Sequence, residues 1–175
     1  MRYRLELRNY CADSIIEHES VSRVLQEMSD FFLKDQVVVV TGAAGGIGRA
    51  ICEDLSEAGA KIVLAGRNAE TLKETADSLK IADSLIVSTD ITKPESVKSL
   101  LDATLAKFRR IDGLVNNAGG GSSMKKPEET PHEEWVRMID FNLTGTFNCC
   151  IEFGKHMISQ KYGKIVNISS VAGTK

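Results

Sequence analysis

Residues Thr41 to Gly48 read TGAAGGIG, four glycines in eight positions, directly behind the apolar run QVVVV. A strand, a tight glycine turn and the start of a helix together make an anion site. Glycine lets the backbone turn sharply and come close to a ligand, and the helix N-terminus offers unpaired amides and a partial positive charge. Pyrophosphate is the usual guest of such a turn, so Gly42, Ala44, Gly45, Gly46, Ile47 and Gly48 are the candidates for holding it. The nucleoside-triphosphate loop is excluded, because no Gly-Lys-Ser/Thr follows. The plainer alternative is a turn whose glycines serve only the bend.

A second chemical signal sits at the end of the next apolar run, Leu64-Ala65-Gly66-Arg67-Asn68, where Arg67 stands 19 residues past Gly48. Near this spacing a dinucleotide-binding fold places an acid for a ribose 2′-hydroxyl, or an arginine for a 2′-phosphate. Here the acid is missing: Gly66 carries no carboxylate to repel a phosphate, and Arg67 offers a planar, permanently charged fork. NADP is therefore expected as the cofactor in preference to NAD. The competing reading makes Arg67 an ordinary solvated residue at the start of a helix.

These residues need a scaffold, and from residue 36 onward the chain alternates short β-branched runs with longer amphipathic segments, the signature of βαβ units. Strands are expected at Gln36 to Val40, Lys61 to Ala65, Ser84 to Ser88, Gly113 to Asn116 and Lys164 to Ile168, each nearly continuous in apolar residues, as strands buried on both faces are. Helices are expected from Ile47 to Ala58, Ala69 to Lys80, Lys93 to Phe108 and Pro131 to Gln160. The fold class that follows is α/β, a doubly wound parallel sheet with helices on both faces. Local chemistry points the same way. Thr92 with Glu95, and Thr130 with Glu133, fit capping boxes; Pro94 and Pro131 suit a first helical turn; Gly59 suits a left-handed helix end.

Composition narrows the partners. The chain has 175 residues, 42% of them hydrophobic, enough for one compact domain with a core. A formal charge of −2 without a dense Lys/Arg block argues against nucleic acid or anionic lipid as a partner. Cys11, Cys52, Cys149 and Cys150 show no Cys-x-x-Cys spacing, which argues against a metal site and a disulfide framework. No apolar run reaches the length of a membrane span and no secretory leader opens the chain, so a cytoplasmic protein is expected.

Taken in order, Thr41-Gly42-x-x-x-Gly46-x-Gly48, Asn116-Asn117-Ala118-Gly119, Asn142 and Asn167-Ile168-Ser169-Ser170-Val171-Ala172-Gly173 resemble the short-chain dehydrogenase/reductase family, in its ordinary oxidoreductase branch. The resemblance covers about residues 34 to 175. It implies a Rossmann fold and hydride transfer between a nicotinamide cofactor and a carbonyl or secondary alcohol. Asp90 would then accept from the adenine amino group with Ile91 packing on that ring, and Asn117, Ala118 and Gly119 would line the ribose. Ser170 would hydrogen-bond the substrate oxygen, and Asn142, exposed by a local helix distortion, would hold a relay water through its backbone. Family members usually form homo-oligomers, partly through the helix containing Asn142.

One departure bears on activity. The family's acid/base is a tyrosine with a lysine four residues later. The tyrosines here are Tyr3, Tyr10 and Tyr162, followed four residues on by Leu7, Ser14 and Val166. The expectation is therefore a C-terminally incomplete Rossmann domain over residues 28–175 that does not turn over by itself, or a non-catalytic dinucleotide-binding protein. Residues 1–27 fit the βαβ scheme poorly. They read either as an extension preceding a true start at Met28, or as an amphipathic helix with Ile15, Ile16, Val21, Val24 and Leu25 on one face.

Overall fold

The computed structural model describes residues 33–81, 83–120 and 126–170. The readings of residues 1–27, of Met28 as a start, and of Val171-Ala172-Gly173 lie outside the described residues. Five strands, β1 (Val37–Thr41), β2 (Lys61–Gly66), β3 (Ser84–Ser88), β4 (Gly113–Asn116) and β5 (Lys164–Asn167), form one parallel sheet in the order β3-β2-β1-β4-β5. Between them run helices α1 (Gly46–Glu57), α2 (Ala69–Ser78) and α3 (Pro94–Phe108). The β4–β5 crossover contains a short 3₁₀ turn (Pro127–Glu129), α4 (His132–Ile139), a π-helical turn (Asp140–Thr144) and α5 (Gly145–Ser159).

The central strand shows why this is a two-faced sheet. Along β1, Val37 and Val39 pack with Val97, Leu100, Cys149 and Phe153 of α3 and α5, while Val38 and Val40 pack with Cys52 of α1 and Leu72 of α2. Successive side chains of a strand point to opposite faces, so an unbroken valine run needs a helical layer on each side. The strand order reverses beside β1: the chain builds outward through β2 and β3, then α3 carries it back to β4 on the other side. That reversal opens a crevice at the carboxyl ends of β1 and β4.

Asp112 holds the opposite end of the sheet. Its buried carboxylate accepts the Val37 amide at 2.8 Å and the fork of Arg110 at 2.8 and 2.6 Å. Its backbone donates to Val37 at 2.8 Å and accepts from Lys164 at 2.9 Å. One residue thereby fixes the entry of β1, β4 and β5.

Helix ends were only partly as expected. Past α1, Gly59 takes φ +86°, and the Gly59 and Ala60 amides bond the Ser56 and Leu55 carbonyls, a Schellman ending. Neither expected capping box forms. Lys93 and Pro131 occupy the N-cap positions without side-chain caps; the Thr92 hydroxyl bonds Asp90, and that of Thr130 bonds the Lys126 carbonyl. Pro94 starts α3, but Pro131 stands one residue before α4 in extended geometry. The long helix expected from Pro131 to Gln160 is interrupted by the π turn.

The Asp112 bonds generate a stability prediction. Asp112→Ala leaves the buried Val37 amide without its acceptor and should lower unfolding free energy by about 1–3 kcal/mol. Arg110→Ala, whose partner stays bonded to that amide, should cost under about 1 kcal/mol, since the arginine lies largely in solvent. Urea unfolding of both variants checks the ranking; equal effects would contradict it.

Candidate functional site

The crevice at the sheet's reversal point is a cleft of about 560 Å³. Its walls bring together Gly42, Ala44, Gly45, Gly46, Ile47 and Gly48 from the first turn, Arg67 from the end of β2, Ile91 after β3, and Asn117, Ala118 and Gly119 after β4. These positions span 78 residues of sequence from first to last.

The turn after β1 is locked to the turn after β4 by side-chain hydrogen bonds. The buried Thr41 hydroxyl accepts from the Asn117 amide at 3.1 Å and the Ala118 amide at 3.0 Å, and donates to the Val115 carbonyl at 3.3 Å. A hydroxyl has one donor and two acceptor sites, so Thr41 is fully satisfied. The Asn117 side-chain amide donates back to the Thr41 and Gly42 carbonyls at 3.0 and 3.1 Å. Its side chain therefore shapes the cleft by holding the glycine turn.

Glycine has a different reason at each position. Gly42 sits at φ +65°, with the Ala118 backbone 2.9 Å from where a Cβ would lie. A Cβ on Gly48 would collide with the Gly42 carbonyl oxygen and come within 2.6 Å of Asn117 Nδ2. A Cβ on Gly46 would meet nothing within 4 Å. Gly42 and Gly48 are thus required by packing, whereas Gly46 keeps an approach to the helix end open. That end belongs to α1, which has no side-chain cap and no acidic residue in its first turn. Its first amides face the cleft with the helix dipole behind them, so the site fits an anionic group such as pyrophosphate.

Arg67 supplies the second cationic element. Its guanidinium carbon lies 5.3 Å from the centroid of the Phe141 ring, and among the described residues its head group makes no ion pair. Ile91, on the neighbouring wall, is buried from behind: Asn148 donates to its carbonyl at 3.0 Å, and a side chain at Gly145 would collide with it.

Asp90 lies outside this cleft, on the wall of an adjoining one of about 840 Å³ that shares Arg67, Gly119 and Phe141. Its carboxylate accepts from Thr92 Oγ1 at 2.8 Å and the Thr92 amide at 3.0 Å. The hydroxyl hydrogen bond is the main cause holding the Asp90 carboxyl below its usual range, opposed by some desolvation and aided by Lys93 and Arg67. It therefore stays ionised to lower pH than a free aspartate.

Asn142 and Ser170 are on neither wall. Asn142 occupies the π turn, so a distortion does fall where the sequence reading placed one. Its side chain accepts from the Gly120 amide at 2.7 Å and donates to the Gly120 and Met138 carbonyls at 3.3 and 2.9 Å. Its own carbonyl accepts from Thr146 Oγ1 at 3.0 Å. Ser170 is exposed, just beyond the carboxyl end of β5 on the cleft side of the sheet.

Sequence reasoning missed several wall residues: Asn68, Thr71, Thr89 and Phe141. Asn68 was legible as an N-cap, and it does accept from the Glu70 and Thr71 amides at 2.9 and 3.3 Å. Phe141 carried no local signal, because its role depends on a contact 74 residues away. Thiol chemistry finds no support at Cys52 or Cys149, where burial pushes each pKa up to about 12. Among the described residues no cluster of three potential metal ligands occurs, and no helix is long and apolar enough to cross a membrane.

The glycine geometry predicts opposite outcomes for two similar substitutions. Gly48→Ala forces the two turns apart and should lower the melting temperature. Gly46→Ala should leave it unchanged while weakening binding of a dinucleotide, because the added methyl projects into the open approach. Thermal melts and cofactor titrations of both variants check this; equal melting losses would contradict it.

Residues 36–175 match the family model described as short chain dehydrogenase. An uncharacterized oxidoreductase of Staphylococcus epidermidis is 40% identical over 141 residues, covering 81% of this chain and 60% of the relative. Among solved structures, an NAD⁺-bound xylitol dehydrogenase aligns with TM-score 0.78 and 35% identity, covering 81% of this chain and 55% of its own. An actinorhodin polyketide ketoreductase solved with NADPH aligns with TM-score 0.77 and 30% identity, over 81% and 55% respectively. The chain thus spans little more than half the length of the proteins it matches.

Proposed function

Because the chain belongs to the short chain dehydrogenase family, we propose that residues 28–175 form the dinucleotide-binding portion of an NADP-preferring oxidoreductase, with residues 1–27 as an extension. The reaction is interconversion of a carbonyl and a secondary alcohol. One observation carries the reading: the uncapped start of α1, the open face of Gly46 and the fork of Arg67, which makes no ion pair among the described residues, converge on one cleft.

In this reading the first amides of α1 hold the pyrophosphate, and Gly42 and Gly48 let the turn close beneath it. Arg67 pairs with the 2′-phosphate through parallel, charge-assisted hydrogen bonds. Asp90 accepts from the adenine amino group while Ile91 packs on the ring, and Asn117, Ala118 and Gly119 border the ribose. The bound nicotinamide supplies or takes up the hydride. The Ser170 hydroxyl donates to the substrate oxygen, so negative charge developing there is stabilised. The Asn142 carbonyl, which accepts from Thr146 Oγ1, would hold the relay water.

Proton transfer to that oxygen needs a group with a matched pKa. Tyr162 is followed four residues on by Val166, and its side chain lies beyond the amino end of β5, away from the cleft's edge of the sheet. The reading therefore places the acid/base outside residues 1–175 and makes this polypeptide alone a binder without turnover. That second reading, dinucleotide binding without catalysis, rests on the same tyrosines. A cytoplasmic protein that associates with copies of itself belongs to the proposal as well. Supporting association, Leu143, Phe147 and Ile151 are 64%, 61% and 42% exposed in a single stripe at helical spacing.

Titration of the 175-residue chain with NADPH and NADH tests the cofactor. The expected result is tighter binding of NADPH, by roughly 1.5–3 kcal/mol for hydrogen bonds to a charged group, and loss of that preference in Arg67→Ala. Equal affinities in the parent would refute it. An assay of the same chain with ketone substrates should show no turnover; substantial turnover would refute the placing of the acid/base.

A further inference from the structure

The geometry points to Phe141 as a positioning residue that presets Arg67 for a 2′-phosphate and so helps to set the choice between NADP and NAD. The inference rests on the Arg67 reading above and adds to it the residue that holds the arginine in place.

Arg67 leaves the end of β2 at an exposed position, where a free arginine samples many rotamers. Its guanidinium is instead found 5.3 Å from the Phe141 ring centroid, within range of a cation–π contact. Phe141 is itself well fixed. It packs against the core cluster formed by α3, α5 and the sheet, and it belongs to the π turn Asp140–Thr144. The next residue, Asn142, grips both backbone groups of Gly120 and the Met138 carbonyl. The ring is therefore a rigid platform, and Arg67 and Phe141, with Gly119, line both adjoining clefts.

A contact with the ring uses the charge of the guanidinium without consuming any of its N–H donors. Those five donors are what a phosphate needs. An arginine already confined over an aromatic ring loses less conformational freedom when it binds. One competitor for the fork is Asp90, which lines the adjoining cleft with Arg67 and whose Oδ1 is engaged by the Thr92 amide and hydroxyl. Without the platform, Arg67 regains its rotamers and can turn toward that carboxylate.

The test measures NADP and NAD affinities in parallel for the full chain and for F141L, F141Y, R67A and the double variant R67A/F141L, with thermal melts to confirm folding. A cation–π contact at an exposed site predicts a roughly two- to five-fold loss of NADP affinity in F141L, with NAD affinity unchanged. F141Y keeps the ring face and should retain the parent ratio. The double variant should lose no more NADP affinity than R67A alone, because Phe141 acts through Arg67. Equal losses of NADP and NAD in F141L, or failure of F141Y to restore the ratio, would overturn the inference while leaving the Arg67 reading intact. A parent chain without preference for NADP would overturn both, and that outcome is separable because it appears before any substitution.

Discussion

The Thr41 hydroxyl is the point on which the site depends. It is buried at the end of the central strand, and all three of its hydrogen-bonding sites are used to join the turn after β1 to the turn after β4. The Asn117 side chain completes the junction by bonding two carbonyls of the glycine turn. These two strands flank the place where the sheet order reverses, so parallel pairing alone leaves their carboxyl ends free to splay. The side-chain bonds close that gap, and the close contacts at Gly42 and Gly48 are the steric result. Only with the turns held this tightly do the first amides of α1 face an open approach at Gly46.

The same sheet is fastened at its other end by Asp112, and the two junctions leave the carboxyl edge as the place where loops diverge. A second coupling runs through the π turn. Its extra residue per turn aims Phe141 toward Arg67 and Asn142 toward Gly120, so one helical irregularity contacts both sides of the cleft. A regular helix rotates adjacent residues by about 100°, and π-bulges are frequent at functional sites because they re-aim side chains in this way.

Much of this was legible in the sequence because the signals were local and redundant. The strand predictions lie within one residue of β1 to β5, but the burial on both faces expected of all five holds only for β1, β2 and β4; β3 and β5, at the edges of the sheet, are half-buried and exposed. The glycine turn and the Arg67 spacing, local signals too, located the cleft. What stayed hidden depended on competition between neighbouring acceptors or on contacts between distant segments. Thr92 and Thr130 looked like caps, yet their hydroxyls found nearer partners in Asp90 and in the Lys126 carbonyl. Asn117 read both as a ribose contact and as a turn residue; its amide bonds the glycine turn while the residue lines the cleft, and which turn it holds was not visible in the sequence. The π turn could be suspected from Asn142-Leu143-Thr144-Gly145, but its aim at Arg67 could not, because spacing within one helix says nothing of what lies opposite.

The central claim is that the start of α1, opened by Gly46 and held by the Thr41 junction, receives the pyrophosphate of a dinucleotide. Backbone amide resonances followed by NMR during titration with NADP test it most directly. The account predicts that the largest shifts fall on the amides of Gly46, Ile47 and Gly48, with a second group at Arg67 and Ile91. Saturable binding that leaves the first turn of α1 unperturbed would contradict it.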